Sequence, residues 1–247
     1  MEVNKKSVLL ELLGTFIVVY IGGWSVQWNY ARMVDIVASS LSQGFTLAIM
    51  IYIAHPISDG HFNPVVSLIC AMTGHQKWMD TLIYITSQTI GSVLAGLFLK
   101  LQSRDLWQGE VKNQLGYPMV TQNTSVVAAF FAELISSFSL LFTIYAVYYH
   151  RQAPPGTCAA VIGATYMYNI LSIGNMTGCA MNPVRVFGPS LFGMGFLAPR
   201  GEWIFYIAPL IGGLLGGFTY HILYMEENNP DWKDPTLDKI EKAGKND

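Results

Sequence analysis

The chain has 247 residues, of which 52% are hydrophobic and only 12% charged, with a net charge of −2. A soluble domain carries about 25% charged residues, and residues 8–101 and 125–225 hold only twelve charges between them, too few to cover a water-facing surface. The composition excludes extended disorder, which needs low hydrophobicity and high charge, and the lack of a basic stripe excludes a nucleic-acid partner. Cys70, Cys158 and Cys179 are too few and too scattered for a disulfide framework or a paired-cysteine metal site. The composition is that of an integral membrane protein.

Lys5-Lys6 precede an apolar run that continues for a full span with no small-residue cleavage site, so it reads as a membrane helix and not as a removable signal. A helix needs about 20 residues to cross a hydrocarbon core of about 30 Å. Charge-free runs trimmed by turn signals give six spans, 8–28, 36–55, 80–101, 125–149, 157–175 and 202–225. Glu11 and Glu133 fall inside the first and fourth. Trp24, Trp28, Trp78, Trp203 and Tyr149 lie near span ends, as an aromatic belt would. The Lys/Arg distribution modestly favours both termini in the cytoplasm. Gly212/Gly216, Gly213/Gly217 and Ser92/Gly96 read as close helix packing. Asn123-Thr124-Ser125 is a glycosylation sequon in the predicted outer connection.

Residues 56–74 and 176–195 are apolar but broken by Pro and Gly, and each holds Asn-Pro-Val, at Asn63-Pro64-Val65 and Asn182-Pro183-Val184. The chain is doubled. The run from Glu11 matches that from Glu133, the two Asn-Pro-Val motifs match, and Gln88-Thr-Ile-Gly matches Pro209-Leu-Ile-Gly, all at nearly one offset. Three spans per repeat is odd, so the second repeat enters the membrane from the opposite side, as an inverted-topology repeat. The predicted organisation is a channel domain over 1–225, with repeat one at 8–101, an outer connection at 102–124 and repeat two at 125–225, followed by a cytoplasmic tail at 226–247. Asn is a strong cap and Pro suits the first helical turn. Pro64–Gly74 and Pro183–Gly193 would therefore form half-helices of roughly 16 Å, about half the hydrocarbon thickness. Entering from opposite faces, they would meet N-terminus to N-terminus near the midplane. Irregular backbone at that depth is tolerated where it lines a water-filled cavity, which implies a pore.

These segments resemble the aquaporin (major intrinsic protein) family. The likeness runs over residues 8–225 and is strongest at Ser58-Asp59-Gly60-His61-Phe62-Asn63-Pro64-Val65 and at Thr177-Gly178-Cys179-Ala180-Met181-Asn182-Pro183-Val184-Arg185, the second carrying the family's Arg. The resemblance implies an all-α membrane protein of six transmembrane helices plus two re-entrant half-helices, with a pore in each subunit of a homotetramer. Asn63 and Asn182 would donate to water at the midplane. Arg185, Gln43, Ile170 and Cys179 would form the selectivity filter at the outer constriction. Glu11 and Glu133 would accept hydrogen bonds from loop backbone N–H groups, although intramembrane carboxylates also occur in proton-coupled transporters. His61 would brace its loop, since no further metal ligands accompany it. Cys179 at the mouth would make conduction sensitive to mercury.

The chain departs from the family's usual pattern. Both motifs end in Val where Ala is usual, and Asp59 stands at a usual Gly. Strict water channels typically have Phe and His at the positions of Gln43 and Ile170. Glycerol channels have Trp, Gly and Phe at Gln43, Ile170 and Cys179. Val186 after the Arg, and the pair Phe205-Tyr206, are of the water-channel kind. The expected function is a passive water channel that excludes protons and ions, in the plasma membrane or a vacuolar membrane. A broader pore for glycerol, urea or other small neutral solutes is the alternative, and an inverted-repeat secondary transporter a remote one. No nucleophile–base set or metal cluster is recognisable, so neither an enzyme nor a cofactor is expected.

Overall fold

The computed structural model describes residues 4–30, 35–106, 115–150, 153–154, 156–193 and 201–224. Among these residues the chain is all-helical, with α1 (Lys5–Tyr30), α2 (Ile36–Ser58), α3 (Pro64–Met72), α4 (Trp78–Leu106), α5 (Val126–Tyr148), α6 (Cys158–Thr177), α7 (Pro183–Phe192) and α8 (Ile204–Tyr224). Helices α1, α2, α4, α5 and α8 are long and apolar enough to cross a membrane. The sixth expected span, 157–175, is present as α6 but is more polar, with Tyr166, Tyr168, Asn169 and Asn175. Part of that polarity is used internally: Asn169 Nδ2 donates to Ser136 O at 3.2 Å and to Ser139 Oγ at 2.9 Å, pinning α6 to α5.

Helices α1, α2, α4 and α6 overrun their expected spans, whereas α5 and α8 lie within theirs. Helix α4 runs to Leu106 and takes the first positions of the connection expected over 102–124. Hydropathy marks where lipid lies, whereas a helix propagates until a residue stops it. Part of that connection packs inward: Leu115 and Tyr117 are buried, while residues 121–123 are exposed. Gly116 (φ 69°) presses on α1, where a Cβ would lie 1.9 Å from Gly23 O. The tail at 226–247 lies outside the described residues.

The two short helices start as their sequences dictate. Asn63 Oδ1 accepts from Val65 N at 3.0 Å and Asn182 Oδ1 from Val184 N at 3.2 Å, each with Pro in the first turn. They span 9 and 10 residues, closing at Thr73 and Gly193.

Packing repeats between the halves. Helix α4 lies on α1, and α8 on α5. A Cβ on Gly91 would meet Leu12 O at 2.3 Å, and one on Gly212, its repeat partner, would meet Leu134 O at 2.1 Å. Backbones this close need glycine, and in lipid close approach supplies much of the association. Each short helix also docks on the last long helix of the other half, α3 on α8 and α7 on α4. There Gly188 N donates to Ser92 Oγ at 3.0 Å, and Ser92 Oγ donates to Val184 O. The halves are thereby interlocked around the two Asn-Pro corners.

Candidate pore and its outer constriction

Two buried carboxylates shape the corners. Glu11 accepts from His61 N at 3.0 Å, Phe62 N at 2.8 Å, Ser58 Oγ at 2.8 Å and Gln88 Nε2 at 2.8 Å. Glu133 accepts from Thr177 Oγ1 at 2.6 Å, Ala180 N at 2.9 Å and Met181 N at 3.2 Å. Backbone N–H groups that no helix satisfies must find such acceptors. Left-handed residues mirror each other across the repeat: Asp59 (φ 64°) and Gly178 (84°), Gly60 (67°) and Cys179 (52°), Phe62 (48°) and Met181 (53°). Bulky residues adopt that region only where surrounding bonds over-determine it. The carboxylates hold the N–H groups, and the opposite loop's Asn holds the carbonyls. Asn63 Nδ2 donates to Met181 O at 3.0 Å and Asn182 Nδ2 to Phe62 O at 2.9 Å. The N-termini of α3 and α7 therefore meet through reciprocal bonds. Each amide spends one of its two hydrogens there. His61 is buried with Nδ1 3.0 Å from Ser67 Oγ, and its ring lies edge-on to Tyr84.

Both Asn residues line a narrow cavity. Its walls are apolar faces of four long helices: Val18 of α1, Leu47 and Ile51 of α2, Leu140 and Ile144 of α5, and Ile162 and Tyr166 of α6. Mostly apolar walls with a few convergent polar groups are what a small-molecule passage needs.

One helical turn beyond this cavity, four residues along the same faces, stand Gly22 of α1, Gln43 of α2 and Ile170 of α6. All three are buried, as are Cys179 and Arg185. Arg185 Nη2 donates to Gln43 Oε1 at 2.6 Å. Gln43 is itself oriented, since Nε2 donates to Ser39 Oγ at 3.2 Å, Ser39 Oγ to Ser25 Oγ at 3.2 Å, and Ser25 Oγ to Gly22 O at 2.8 Å. Arg185 is 2% exposed, and among the described residues its Nε and Nη1 have no hydrogen-bond partner. Ile170 and Cys179 share one apolar cluster with Tyr166 and Met181. Gln43 and Arg185 thus come together directly, with Ile170 and Cys179 in that neighbouring cluster.

Sequence reasoning named Glu11 but missed the rest of its α1 face, Gly14, Val18, Gly22 and Ser25, which touches in turn Phe62, the cavity, the Gln43–Arg185 pair and Ser39. Its helical spacing from Glu11 was a usable signal. The serines that orient Gln43 had none, because Ser is ordinary in membrane helices.

Two half-length helices butted Asn to carbonyl, inside a bundle of apolar helices and beside a cavity, define a helical membrane channel with paired half-helices. Residues 2–220 match the profile of the major intrinsic protein family. The chain belongs to that family, whose members are channels and not enzymes. It is 30% identical over 220 residues to Nodulin-26 of Glycine max, covering 88% of this chain and 78% of the relative. It is 28% identical over 244 residues to aquaporin NIP1-2 of Arabidopsis thaliana, covering 97% and 79%. Among solved structures, that of the aquaglyceroporin from Plasmodium falciparum superposes with a TM-score of 0.79 at 19% identity, covering 89% of this chain and 96% of that one. This likeness establishes the shared fold.

Proposed function

We propose that the protein is a passive transmembrane channel that conducts water down osmotic gradients and excludes protons and ions. The observation that carries this reading is the reciprocal pair Asn63 Nδ2 to Met181 O and Asn182 Nδ2 to Phe62 O beside the cavity. Each Asn keeps a second amide hydrogen for a permeating molecule. A water held by both as a double acceptor turns its own hydrogens outward and cannot relay a proton. The N-termini of α3 and α7 add roughly half a positive charge each, so a cation loses hydration there without replacement. Arg185 adds a full charge one level outward. Oriented dipoles and a cationic side chain are a general means of excluding cations from a pore. In this reading Gln43, Ile170, Cys179 and Arg185 form the selectivity filter, Glu11, Glu133 and His61 brace the corners, the channel unit is residues 1–225, and four subunits assemble in a lipid bilayer with both termini cytoplasmic.

A second reading is a pore wide enough for glycerol, urea or similar neutral solutes. It is favoured by the lack of an aromatic ring among Gln43, Ile170, Cys179 and Arg185. Light scattering of proteoliposomes tests both. Fast shrinkage in sucrose with slow proton entry into dye-loaded vesicles supports the channel, and re-swelling in urea and glycerol selects the broader pore. Vesicles no more permeable to water than bare lipid would end the proposal.

A further inference from the structure

We infer that Gly14 is a positioning residue of the first corner: the notch left by its missing side chain seats the Phe62 ring, and that seat keeps the ring clear of the passage and the Phe62 carbonyl under Asn182. The inference rests on the channel reading proposed above.

A Cβ built on Gly14 would lie 2.0 Å from Phe62 Cε1, 2.4 Å from Cζ and 2.6 Å from Cδ1. The ring therefore fills the volume that a side chain at position 14 would need, and a methyl group there must displace it. The ring has little room on its far edge, where Cε2 stands 3.3 Å from the place of a Cβ on Gly60, beside Ile51 and Ala54. The backbone of Phe62 is gripped at both ends. Its N–H donates to Glu11 Oε2 at 2.8 Å and its carbonyl accepts from Asn182 Nδ2 at 2.9 Å, with φ held at 48°. Phe62 also lines the cavity. A ring driven out of the notch must enter that cavity or pull its carbonyl off Asn182, and either change reaches the permeant.

The repeat supports the same assignment. At the offset that pairs Glu11 with Glu133, Gly14 pairs with Ser136, while Phe62 pairs with Met181. The second half thus carries a Cβ at the notch position and a flexible methionine at its corner, held at φ 53°. The first half combines a rigid ring with no side chain at all. The same division runs along the short helices. On α8 a Cβ at Gly217 would meet Ile69 Cγ2 of α3 at 2.7 Å, whereas α7 is bonded to Ser92 of α4 through Gly188 N and Val184 O. The first short helix is seated by shape and the second by hydrogen bonds. Gly23 shows what a glycine without this duty does. A Cβ there would lie 2.5 Å from Leu99 Cδ1, just as crowded, but Leu99 is not among the residues that line the cavity.

The test measures water permeability of proteoliposomes carrying the full chain, as wild type, Gly14→Ala, Phe62→Met, the double variant and Gly23→Ala, with unfolding temperatures of the solubilised proteins alongside. Gly14→Ala should lose water permeability several-fold per folded channel. In the Phe62→Met background the same methyl should cost nothing further, because methionine bends around it. Gly23→Ala should lower the unfolding temperature and keep wild-type flux per folded channel. Wild-type flux in Gly14→Ala would overturn the inference and leave the channel reading standing. So would a methyl whose cost, in flux and in unfolding temperature, is the same with and without Phe62→Met. That comparison also decides the matter if Gly14→Ala folds too poorly to conduct, since the double variant should then recover folded protein. Wild-type vesicles no more permeable to water than bare lipid would end the channel reading and the inference together.

Discussion

Cys179 is held at φ 52°, a left-handed conformation that its repeat partner at position 60 meets with glycine. Such a conformation costs an L-residue about 1–2 kcal/mol. Cys179→Gly relieves that strain but empties a buried side chain from the apolar cluster, so thermal stability should stay within about 1 kcal/mol of wild type, while a substitution at Gly60, whose Cβ would meet Ala54 Cβ at 3.1 Å, should destabilise the solubilised protein. If the thiol also faces the permeant, mercury will block wild-type flux and leave Cys179→Gly unaffected. Block that persists in the variant would assign it to Cys70 or Cys158, the other free cysteines. Asp59 makes the same compromise at the partner of Gly178. Its 3.6 Å pair with His55 lies between half-exposed groups and adds little.

At the scale of elements, the corners are set by how many donors each carboxylate satisfies. Glu11 accepts from four and Glu133 from three. A glutamine offers one oxygen and turns an NH2 toward the remaining donors, so two buried donors at Glu11 and one at Glu133 are stranded at about 1–3 kcal/mol each. Both Glu→Gln variants should lower the unfolding temperature, Glu11→Gln by more. Equal stability of wild type and both variants would show that the corners do not depend on these bonds. Helix seams obey a similar count. Gly212→Ala pushes a methyl onto Leu134 O from 2.1 Å, an overpacking cost of about 1–3 kcal/mol, and should destabilise the solubilised protein. Much of this level was legible beforehand. The six helices follow from charge-free runs, and the two short ones from Asn-Pro at matching offsets. What hydropathy could not show was where helices end, since α4 continues to Leu106 after the lipid signal stops. Nor could it show that the segment 115–120 folds inward, because Leu115 and Tyr117 read as ordinary loop residues until Gly23 gives them a surface. At the site, residue identities at positions 43 and 185 were readable. Their mutual bond and the Ser25–Ser39 support were not, because three-dimensional proximity across 142 residues leaves no local pattern.

For the whole molecule, the question is which barrier stops cations, since two lie in series. The helix N-termini at the corners together supply roughly one positive charge, and Arg185 supplies another one level away. Both halves of the chain are needed for the first barrier, because each short helix is braced by the half that does not contain it. If the paired dipoles are sufficient, Arg185→Val should leave proton entry slow while altering solute selectivity. Asn63→Asp then probes the corner itself. Aspartate is as good a cap as asparagine, so α3 survives, but the side chain loses the donor to Met181 O and brings a charge that roughly cancels the two half-charges. Cation leak should then rise several-fold over wild type in sodium-flux and proton-dye assays. The sign with pH follows from the group. Burial favours the neutral acid, so the leak should be absent at low pH and appear as pH rises and the carboxyl ionises. A leak-free Asn63→Asp channel that still conducts water at high pH would place cation exclusion on Arg185 and not on the meeting of the two short helices.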